Sequence, residues 1–437
     1  MGNITEKKYI GTLSQKELLK LYSKHVNGPK VKIFKGFGFA VIPGVRNNIY
    51  MKTLDGPRKG QPPMEIINCR SSGGVFNLGH RHPEIIKTLK DAIDGGLDLG
   101  DHMLLSEWRA LLGQKLAEVL PGNINKTTFG VSGGEAIDTA IKFSRAYTKR
   151  KSCVSAIGGY HGHTGFSLLT GDPEFRDTFL WNNPDFKQVP FGDADAMKKT
   201  VTEETACVIL EGIPATGGVL IAPEGYFPTV REICDEKGAM LILDEVQSGL
   251  GRTGEFWSFD GGLYPDDKIV PDFVVCGKGM SSGMYPLSTC SYKPEIEKSV
   301  FKEDPFIHIS TTGGSELGCA VAYKMIEIQS DPNFLSHVKE VGEQFGNGLK
   351  MMAKNNPEII KEARGRGLMW GLEFYDEMDG QLMMLHCINQ GLLLNYCGNN
   401  KATDIIMPPL ITEEDQISEI IKRIENALNK LIELKKS

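Results

Sequence analysis

The stretch Ala239-Met-Leu-Ile-Leu-Asp-Glu-Val-Gln247 runs from five apolar residues directly into two adjacent acids. A short run that is apolar on both faces predicts a buried strand of a parallel sheet, with Asp244 and Glu245 at its carboxyl end. Ligands of open α/β sheets bind at that end of the strands. Two acids alone could equally open a solvated loop. A third interpretation, the acidic strand of a P-loop ATPase, is excluded because the chain has no G-x-x-x-x-G-K-[ST] sequence.

Further apolar runs and helical patterns surround this stretch and indicate the fold class. The predicted strands are Cys153–Ile157, Ala206–Leu210, Ala239–Leu243, Phe273–Cys276 and Leu287–Ser291, and the helical patterns include Glu135–Arg150 and Tyr226–Lys237. Their alternation predicts an α/β domain with a parallel sheet. From about Asp331 helical patterns dominate, and the last is an amphipathic, core-facing helix at Glu413–Lys435. We therefore place a domain boundary near residue 326.

A lysine between two glycines follows the next predicted strand, in Phe273-Val-Val-Cys-Gly-Lys278-Gly-Met. It could be an exposed lysine in a turn. It could also be a partly desolvated amine that forms a Schiff base. Pyridoxal phosphate (PLP) requires an aspartate beside its pyridine nitrogen and a lysine that binds its aldehyde. Asp244 and Lys278, at the ends of adjacent strands, are candidates for these two roles.

A phosphate on such a cofactor needs its own binding site. Gly130-Val-Ser-Gly-Gly-Glu-Ala136 leads directly into a helical pattern, so glycine N–H groups and Ser132 could bind an anion at the helix N-terminus. The same residues could form only an N-cap, with Ser132 and Glu135 as a capping box. Tyr160-His-Gly-His163 follows a strand, and its aromatic ring could stack on a planar cofactor. Gly249-Leu-Gly-Arg-Thr-Gly254 matches G-x-G-x-x-G but does not leave a strand directly, which argues against a dinucleotide site.

Composition excludes several classes of protein. The chain has 437 residues and a net charge of −6, and its acidity disfavours nucleic acid as a partner. It contains no apolar run of about 18 residues, so no membrane span is expected. The charged start and the nine scattered cysteines predict a cytoplasmic protein with reduced, buried thiols. His161 and His163 have no third ligand at useful spacing, so no metal site is expected.

Taken together, the motifs resemble those of the class III, fold-type I PLP-dependent aminotransferases from about Arg70 to Leu410. The matching strings are Leu-Gly-His-x-His-Pro at 78–83, Ser-Gly-Gly-Glu-Ala at 132–136, Gly-Tyr-His-Gly at 159–162, Leu-Ile-Leu-Asp-Glu-Val-Gln at 241–247, Gly-Arg-Thr-Gly at 251–254, Gly-Lys-Gly at 277–279, Ser-Thr-Thr-Gly-Gly at 310–314, Arg-Gly-Arg-Gly-Leu at 364–368 and Pro-Pro-Leu at 408–410. The resemblance implies a large PLP-binding domain over 86–325 with a mostly parallel, seven-stranded sheet. It also implies a smaller α+β domain over 326–437 and an N-terminal segment, 1–85, that packs with it.

The resemblance also implies roles for individual residues. Lys278 would be the Schiff-base lysine, and Asp244 would pair with the pyridine nitrogen. The other cofactor contacts that it implies are Ser132, Gly133 and Gly134 at the phosphate, Tyr160 and Val246 on the two ring faces, Gln247 at the ring hydroxyl, and His161 and Glu211 in matching motifs. Thr311 would reach the phosphate of the other subunit, so a homodimer would be needed for a complete site.

Three positions depart from the pattern of many amino-acid-using members, and all three affect the substrate. Ile405 stands where those members have an arginine that binds a substrate carboxylate, and Thr216 replaces a gating glutamate. His163 replaces an arginine and could bind a polar substrate group. Because a bidentate arginine has no conservative replacement, a preference for 2-oxoglutarate or ornithine is doubtful. Arg70 could supply a different anion contact, or could form a structural surface pair.

The expected activity is an aminotransferase that moves an amino group between an amine or amino acid and an oxo acid or aldehyde. The alternative is a racemase, an epimerase, or an ammonia- or phospho-lyase on the same fold. The same chemistry at the amine-bearing carbon can also result in racemisation, epimerisation or elimination. A non-catalytic protein on this fold is disfavoured because Lys278 and Asp244 are both present. The sequence does not identify the donor, the acceptor or the stereochemistry.

Overall fold

The computed structural model describes residues 13–36, 43–53, 62–260, 264 and 266–436. Its strands are β1 (Pro43–Asn47), β2 (Tyr50–Thr53), β3 (Glu65–Asn68), β4 (Lys126–Gly130), β5 (Ser152–Ala156), β6 (Phe186–Val189), β7 (Thr205–Glu211), β8 (Met240–Asp244), β9 (Phe273–Cys276), β10 (Ser288–Tyr292), β11 (Ile360–Arg366), β12 (Met369–Phe374), β13 (Leu392–Leu393), β14 (Asn395–Tyr396) and β15 (Thr403–Ile406). Its α-helices are α1 (Gln15–His25), α2 (Gly28–Gly36), α3 (Ser71–Gly74), α4 (Pro83–Asp94), α5 (Glu107–Val119), α6 (Gly133–Thr148), α7 (Phe166–Leu169), α8 (Pro173–Arg176), α9 (Ala194–Thr200), α10 (Tyr226–Lys237), α11 (Pro294–Val300), α12 (Glu316–Gln329), α13 (Pro332–Asn355), α14 (Glu377–Asn389) and α15 (Glu414–Lys436). Short 3₁₀ helices lie at Asp177–Phe179 and Lys278–Ser281.

A seven-stranded sheet forms the centre of the fold, in the order β4-β10-β9-β8-β7-β5-β6. Neighbouring strands from β9 through β6 run parallel to one another, which confirms the mostly parallel sheet. The predicted strand at Leu287–Ser291 is observed as β10, but it runs antiparallel to both β4 and β9. Only residues 277–287 connect β9 to β10, and a parallel return needs a crossover of a dozen or more residues.

Apolar side chains of the sheet and its helices form the core around these strands. Helix α6 buries Ile137, Ala140 and Ile141 against the sheet, and it begins two residues before the predicted Glu135. Helix α10 has the predicted limits. The predicted C-terminal helix is α15, one residue later than expected, and it buries its apolar side. All nine cysteines are buried and free.

Two smaller sheets accompany the central one. One has the order β11-β12-β15-β14, and helices α13 and α14 pack against it. The other has the order β1-β2-β3-β13, and its parallel pair aligns Leu392 with Ile67. The domain limits 1–85, 86–325 and 326–437 stay a prediction, and residues 1–12 of the first segment lie outside the described ranges. No helix within the described ranges is long and apolar enough to cross a membrane.

Candidate active site

The carboxyl ends of three adjacent parallel strands bring an acid, a second acid and a lysine to one edge of the sheet. Glu211 and Asp244 are paired in register at the ends of β7 and β8. Lys278 follows two residues after the end of β9. The parallel β8–β9 pairing places it beside Asp244, as the sequence predicts. This is the sheet edge at which α/β proteins bind ligands.

Asp244 forms a buried pair with His161. Its Oδ2 lies 2.8 Å from the imidazole Nδ1, and the two side chains are 4% and 1% exposed. Its Oδ1 accepts a hydrogen bond from the Val246 amide at 3.0 Å. Burial lowers the pKa of His161, but the hydrogen bond and charge of Asp244 outweigh burial, so that pKa lies above its usual value. His161 therefore holds the Asp244 carboxyl group in place, and the negative charge of Asp244 favours the protonated imidazole.

Glu211 adds a second carboxyl group behind this pair. Its Oε1 accepts a hydrogen bond from the Tyr160 amide at 2.9 Å, which holds the turn that carries the tyrosine ring. Burial raises the pKa of Glu211 to about 7, and His161 only partly opposes the effect. Asp244 contributes to the rise because two anions at adjacent strand ends repel each other.

Lys278 is held with its amine inside the site. Its backbone is left-handed, with φ of 40°, which is rare for a residue with a side chain. Its Nζ donates to Gln247 Oε1 at 2.9 Å. Burial lowers the pKa of Lys278, although Asp244 and Glu211 oppose this effect. A lowered pKa increases the fraction of neutral amine, the form that attacks a carbonyl.

The N-terminus of α6 faces the same space. Ser132 caps this helix, since its Oγ accepts a hydrogen bond from the Glu135 amide at 3.3 Å. The capping box is incomplete, because the Glu135 carboxylate accepts from the Val131 amide instead of the Ser132 amide. Glycine is required by close packing here: a Cβ at Gly133 would lie 2.9 Å from Val246 Cγ1, and one at Gly134 would lie 2.9 Å from Thr164 Oγ1.

These groups surround a cavity of about 290 Å³, which we call the Asp244 cavity. It is lined by Ser132, Gly133, Gly134, Tyr160, His161, Gly162, His163, Thr164, Glu211, Asp244, Val246, Gln247 and Lys278. The structure thus brings together the cofactor residues expected from the sequence, with one exception. Thr311 is exposed and does not line the cavity.

A second cavity of about 230 Å³, the Arg70 cavity, shares Tyr160, Gln247 and Lys278 with the first. Its other lining residues are Arg70, Ser72, Gly73, Ala215, Thr216, Asn395, Tyr396, Cys397, Gly398, Ile405 and Met407. The two expected substrate residues are therefore separated: Arg70 lines this cavity, whereas His163 lines the Asp244 cavity. The His163 ring lies 5.0 Å from the Tyr160 ring and 5.2 Å from that of Phe175.

Several lining residues were not expected from the sequence. Asn395, Tyr396 and Met407 come from or beside strands of the smaller C-terminal sheet, so only tertiary packing brings them to Lys278. The loop after Tyr396 is bonded to the segment that follows β7, because the Asn399 amide donates to Thr216 O at 3.0 Å. The Asn399 side chain also donates to the carboxylate of Asp172. No local sequence pattern marks these positions.

Two other sequence features prove to be structural. The Glu245 carboxylate points away from the cavity and accepts hydrogen bonds from the amide and hydroxyl of Ser258. Burial raises the pKa of Glu245 to about 8. In the G-x-G-x-x-G match, the buried Arg252 donates to the carbonyl groups of Leu368 and Pro408 and to Asn77 Oδ1. The described residues contain no group of three or more His, Cys, Asp or Glu side chains that could hold a metal ion.

Comparison with known proteins places this fold and site in one class. A family model described as aminotransferase class-III matches residues 59–428. An uncharacterized aminotransferase from Archaeoglobus fulgidus is 44% identical over 420 residues, covering 96% of both chains. The chain therefore belongs to the class III aminotransferases, as the motifs predicted, and it is an enzyme that transfers amino groups.

Solved structures show the same fold. An ornithine aminotransferase from Toxoplasma gondii, described with PLP at its active site, superposes with a TM-score of 0.86 at 22% identity, covering 97% of this chain and 96% of its own. A transaminase from the marine bacterium Virgibacillus gives a TM-score of 0.85 at 25% identity, with 95% and 99% covered. An (S)-enantioselective omega-transaminase from Thermomicrobium roseum gives 0.85 at 24% identity, with 96% and 100% covered.

Proposed function

We propose that this aminotransferase binds PLP in the Asp244 cavity and uses Lys278 as the lysine that holds it. The observation that carries the proposal is one cavity that is lined by a lysine amine, a buried carboxylate and a helix N-terminus. Each of these groups meets one part of the cofactor: the aldehyde, the pyridine nitrogen and the phosphate. PLP is also the cofactor that membership of the family implies.

The close-packed glycines support the phosphate end of this proposal. Gly133 and Gly134 form the start of α6, where a side chain at either position would collide with Val246 or Thr164. Gly162 is equally restricted, because a Cβ there would lie 2.7 Å from the Gly134 Cα. Backbone N–H groups at a helix N-terminus bind phosphate well. Ser132 remains a contact in the proposal although its hydroxyl already caps the helix.

Side chains along the cavity would hold the ring. Asp244, supported by His161, would accept a hydrogen bond from the protonated pyridine nitrogen. Tyr160 and Val246 would contact the two ring faces, with Glu211 fixing the tyrosine turn. The remaining contact is Gln247, which would bind the ring hydroxyl and already bonds Lys278.

Bound PLP would withdraw electrons from the substrate carbon that carries the amine and so make its hydrogen acidic. Lys278 would take that proton and return it, and its lowered pKa suits both transfers. Asp244 would keep the pyridine nitrogen protonated throughout. Arg70 would bind an anionic group of the substrate. His163 would contact a polar substrate group that extends into the Asp244 cavity.

The proposal includes a homodimer. Thr311 is exposed and does not line the cavity of its own chain, which suits a residue that contacts the partner's phosphate. Large apolar side chains nearby in sequence are also exposed, including Ile307 at 61%. Leu104 and Leu105, at 68% and 105%, add further apolar surface. Burying such residues against a second copy would be favourable. The free cysteines suit the cytoplasm.

Two measurements on the purified, PLP-loaded enzyme test this function. Borohydride reduction followed by peptide mass analysis should place the cofactor on Lys278, and Lys278→Ala should lose both the label and turnover. Lys151→Ala, an exposed lysine beside β5, is the control and should keep both. Labelling at another lysine would contradict the assignment.

The second measurement separates transamination from the alternatives. An amine donor alone should remove the aldehyde absorption of the cofactor, and a 2-oxo acid should restore it. Recovery of the aldehyde form without any oxo acid would indicate a racemase, an epimerase or a lyase instead.

A further inference from the structure

The Arg70 cavity has an unusual charge distribution for a site that receives amino compounds. Apart from Lys278, its only cationic lining residue within the described chain is Arg70, and no lining residue is an acid. No carboxylate of the described residues lies within ion-pair distance of the Arg70 guanidinium. Its charge nevertheless acts on the site, because it lowers the pKa of Lys278. The cavity therefore offers one positive charge to a ligand.

The backbone around Arg70 is fixed rather than loosely placed. The Arg70 and Ser71 amides both donate to Asn68 Oδ1, at 3.2 and 3.0 Å. Asn68 is buried and its amide group contacts His80 Nε2 at 2.9 Å. Ser71 Oγ also donates to Met407 O at 2.8 Å. The backbone of Arg70 is thus held next to Met407, the residue that follows β15.

The apolar part of the lining consists of Ile405, Met407 and Ala215. Apart from the two cations, the other side chains that line the cavity, Thr216, Asn395 and Tyr396 among them, are polar but uncharged. The carboxylate of Asp404 belongs to the same strand as Ile405 but is fully buried elsewhere, with both oxygens unpartnered among the described residues. A second carboxylate or an ammonium group on the substrate would be desolvated here without a side chain of opposite charge to pair with, since Arg70 binds the first carboxylate and the lining holds no acid. The Arg70 cavity therefore disfavours a substrate whose body carries a charged group in addition to one carboxylate.

We propose that the enzyme acts on amino acids with one carboxylate and an otherwise uncharged body, and that its acceptors are the corresponding oxo acids. The carboxylate binds Arg70, and the uncharged body packs on Ile405 and Met407. The net reaction exchanges the amine of the donor for the carbonyl oxygen of the acceptor, so both substrates share these contacts. This inference rests on the proposed role of Lys278 and adds the substrate class.

Equilibrium binding tests the carboxylate contact without any turnover. Titration calorimetry of the PLP-loaded enzyme with butyrate, which has no amine, should show binding, and glutarate should bind more weakly because the lining offers no second cation to its second carboxylate. Arg70→Gln should lose butyrate binding, whereas Arg70→Lys should recover part of it. Arg46→Gln, at an exposed arginine on β1, is the matched control and should bind as the wild type.

Kinetics with three amino acid donors that differ in side-chain charge tests the substrate class. The wild-type enzyme should have a higher kcat/KM for 2-aminobutyrate than for glutamate or lysine. Arg70→Gln should lower kcat/KM for 2-aminobutyrate by about tenfold to a hundredfold, the loss of a charge-assisted hydrogen bond. It should leave kcat/KM for 1-phenylethylamine within about twofold, because this donor has no carboxylate and so makes no contact that Arg70→Gln removes.

The outcomes separate this inference from the proposed function. A preference for glutamate or lysine, or an Arg70→Gln enzyme unchanged in butyrate binding and in 2-aminobutyrate kinetics, would overturn the inference while transamination stands. Turnover that survives in Lys278→Ala would instead overturn the role of Lys278, whatever the result for butyrate.

Discussion

Replacing Asp244 with asparagine removes one charge from the buried pair with His161 and changes almost no volume. The wild-type pair joins Asp244 Oδ2 and His161 Nδ1 at 2.8 Å, with both side chains nearly inaccessible. A hydrogen bond to a charged group contributes about 1.5–3 kcal/mol. We therefore expect Asp244→Asn to lower the free energy of unfolding by about 2 kcal/mol when His161 is protonated.

The pH dependence of this loss has a definite sign. The pKa of His161 is raised in the folded enzyme, so the stability that it contributes is fully present below the ordinary histidine pKa of about 6.5. That contribution disappears as the pH rises through the folded pKa. Glu211 cannot replace Asp244 at low pH, because its own pKa of about 7 leaves it protonated there. The deficit should be largest near pH 5.5 and small near pH 9.

Catalysis should suffer as well, because the pyridine nitrogen would lose its anionic partner. Loss of one such preorganised group typically lowers kcat by about 10²–10³-fold. Urea unfolding of the cofactor-free protein at pH 5.5, 7 and 9 gives the stability profile, and steady-state kinetics of the PLP-loaded enzyme gives kcat.

Asp272→Asn is the matched control. Asp272 is buried beside the same sheet, just before β9, and it pairs with Arg231 at 2.8 Å and Lys293 at 2.7 Å. Its loss should lower the urea midpoint but leave kcat unchanged, because it lies at the opposite end of the strand from Lys278. A folded Asp244→Asn enzyme with wild-type kcat, or with the same deficit at pH 5.5 and pH 9, would refute the reasoning.

Three further changes test other parts of the site. Gly134→Val should weaken PLP binding at least tenfold, because the added Cβ would lie 2.9 Å from Thr164 Oγ1 at the proposed phosphate position. Fluorescence titration with PLP measures the dissociation constant. Asp172→Ala removes the acceptor of the Gly158 amide and of the Asn399 side chain, so it should raise KM more than it lowers kcat; an unchanged KM would contradict this. Ile405→Arg supplies a second cation to the Arg70 cavity and should raise kcat/KM for glutamate about tenfold, with 2-aminobutyrate as the internal control.

The local sequence was sufficient to predict a strand or a helix wherever the residues of that element alone carry the identifying pattern. The apolar run before Asp244 predicted a buried strand with the acid at its carboxyl end, and the structure has β8 there. Helix α10 was predicted to the residue because its apolar spacing and terminal Gly238 are both local. The direction of β10 was not predictable in this way, since strand direction depends on the length of the preceding connection and not on the composition of the strand.

The sequence by itself determined the family and the chemical parts: the lysine between two glycines, the acid after its strand and the glycines before α6. Only the tertiary structure decided how these parts combine. It paired Asp244 with His161, separated Arg70 from His163 into two cavities, and brought Asn395, Tyr396 and Met407 to the lysine from another sheet. Charge pairing and cavity shape depend on distances between segments far apart in the chain, and no local pattern encodes those distances.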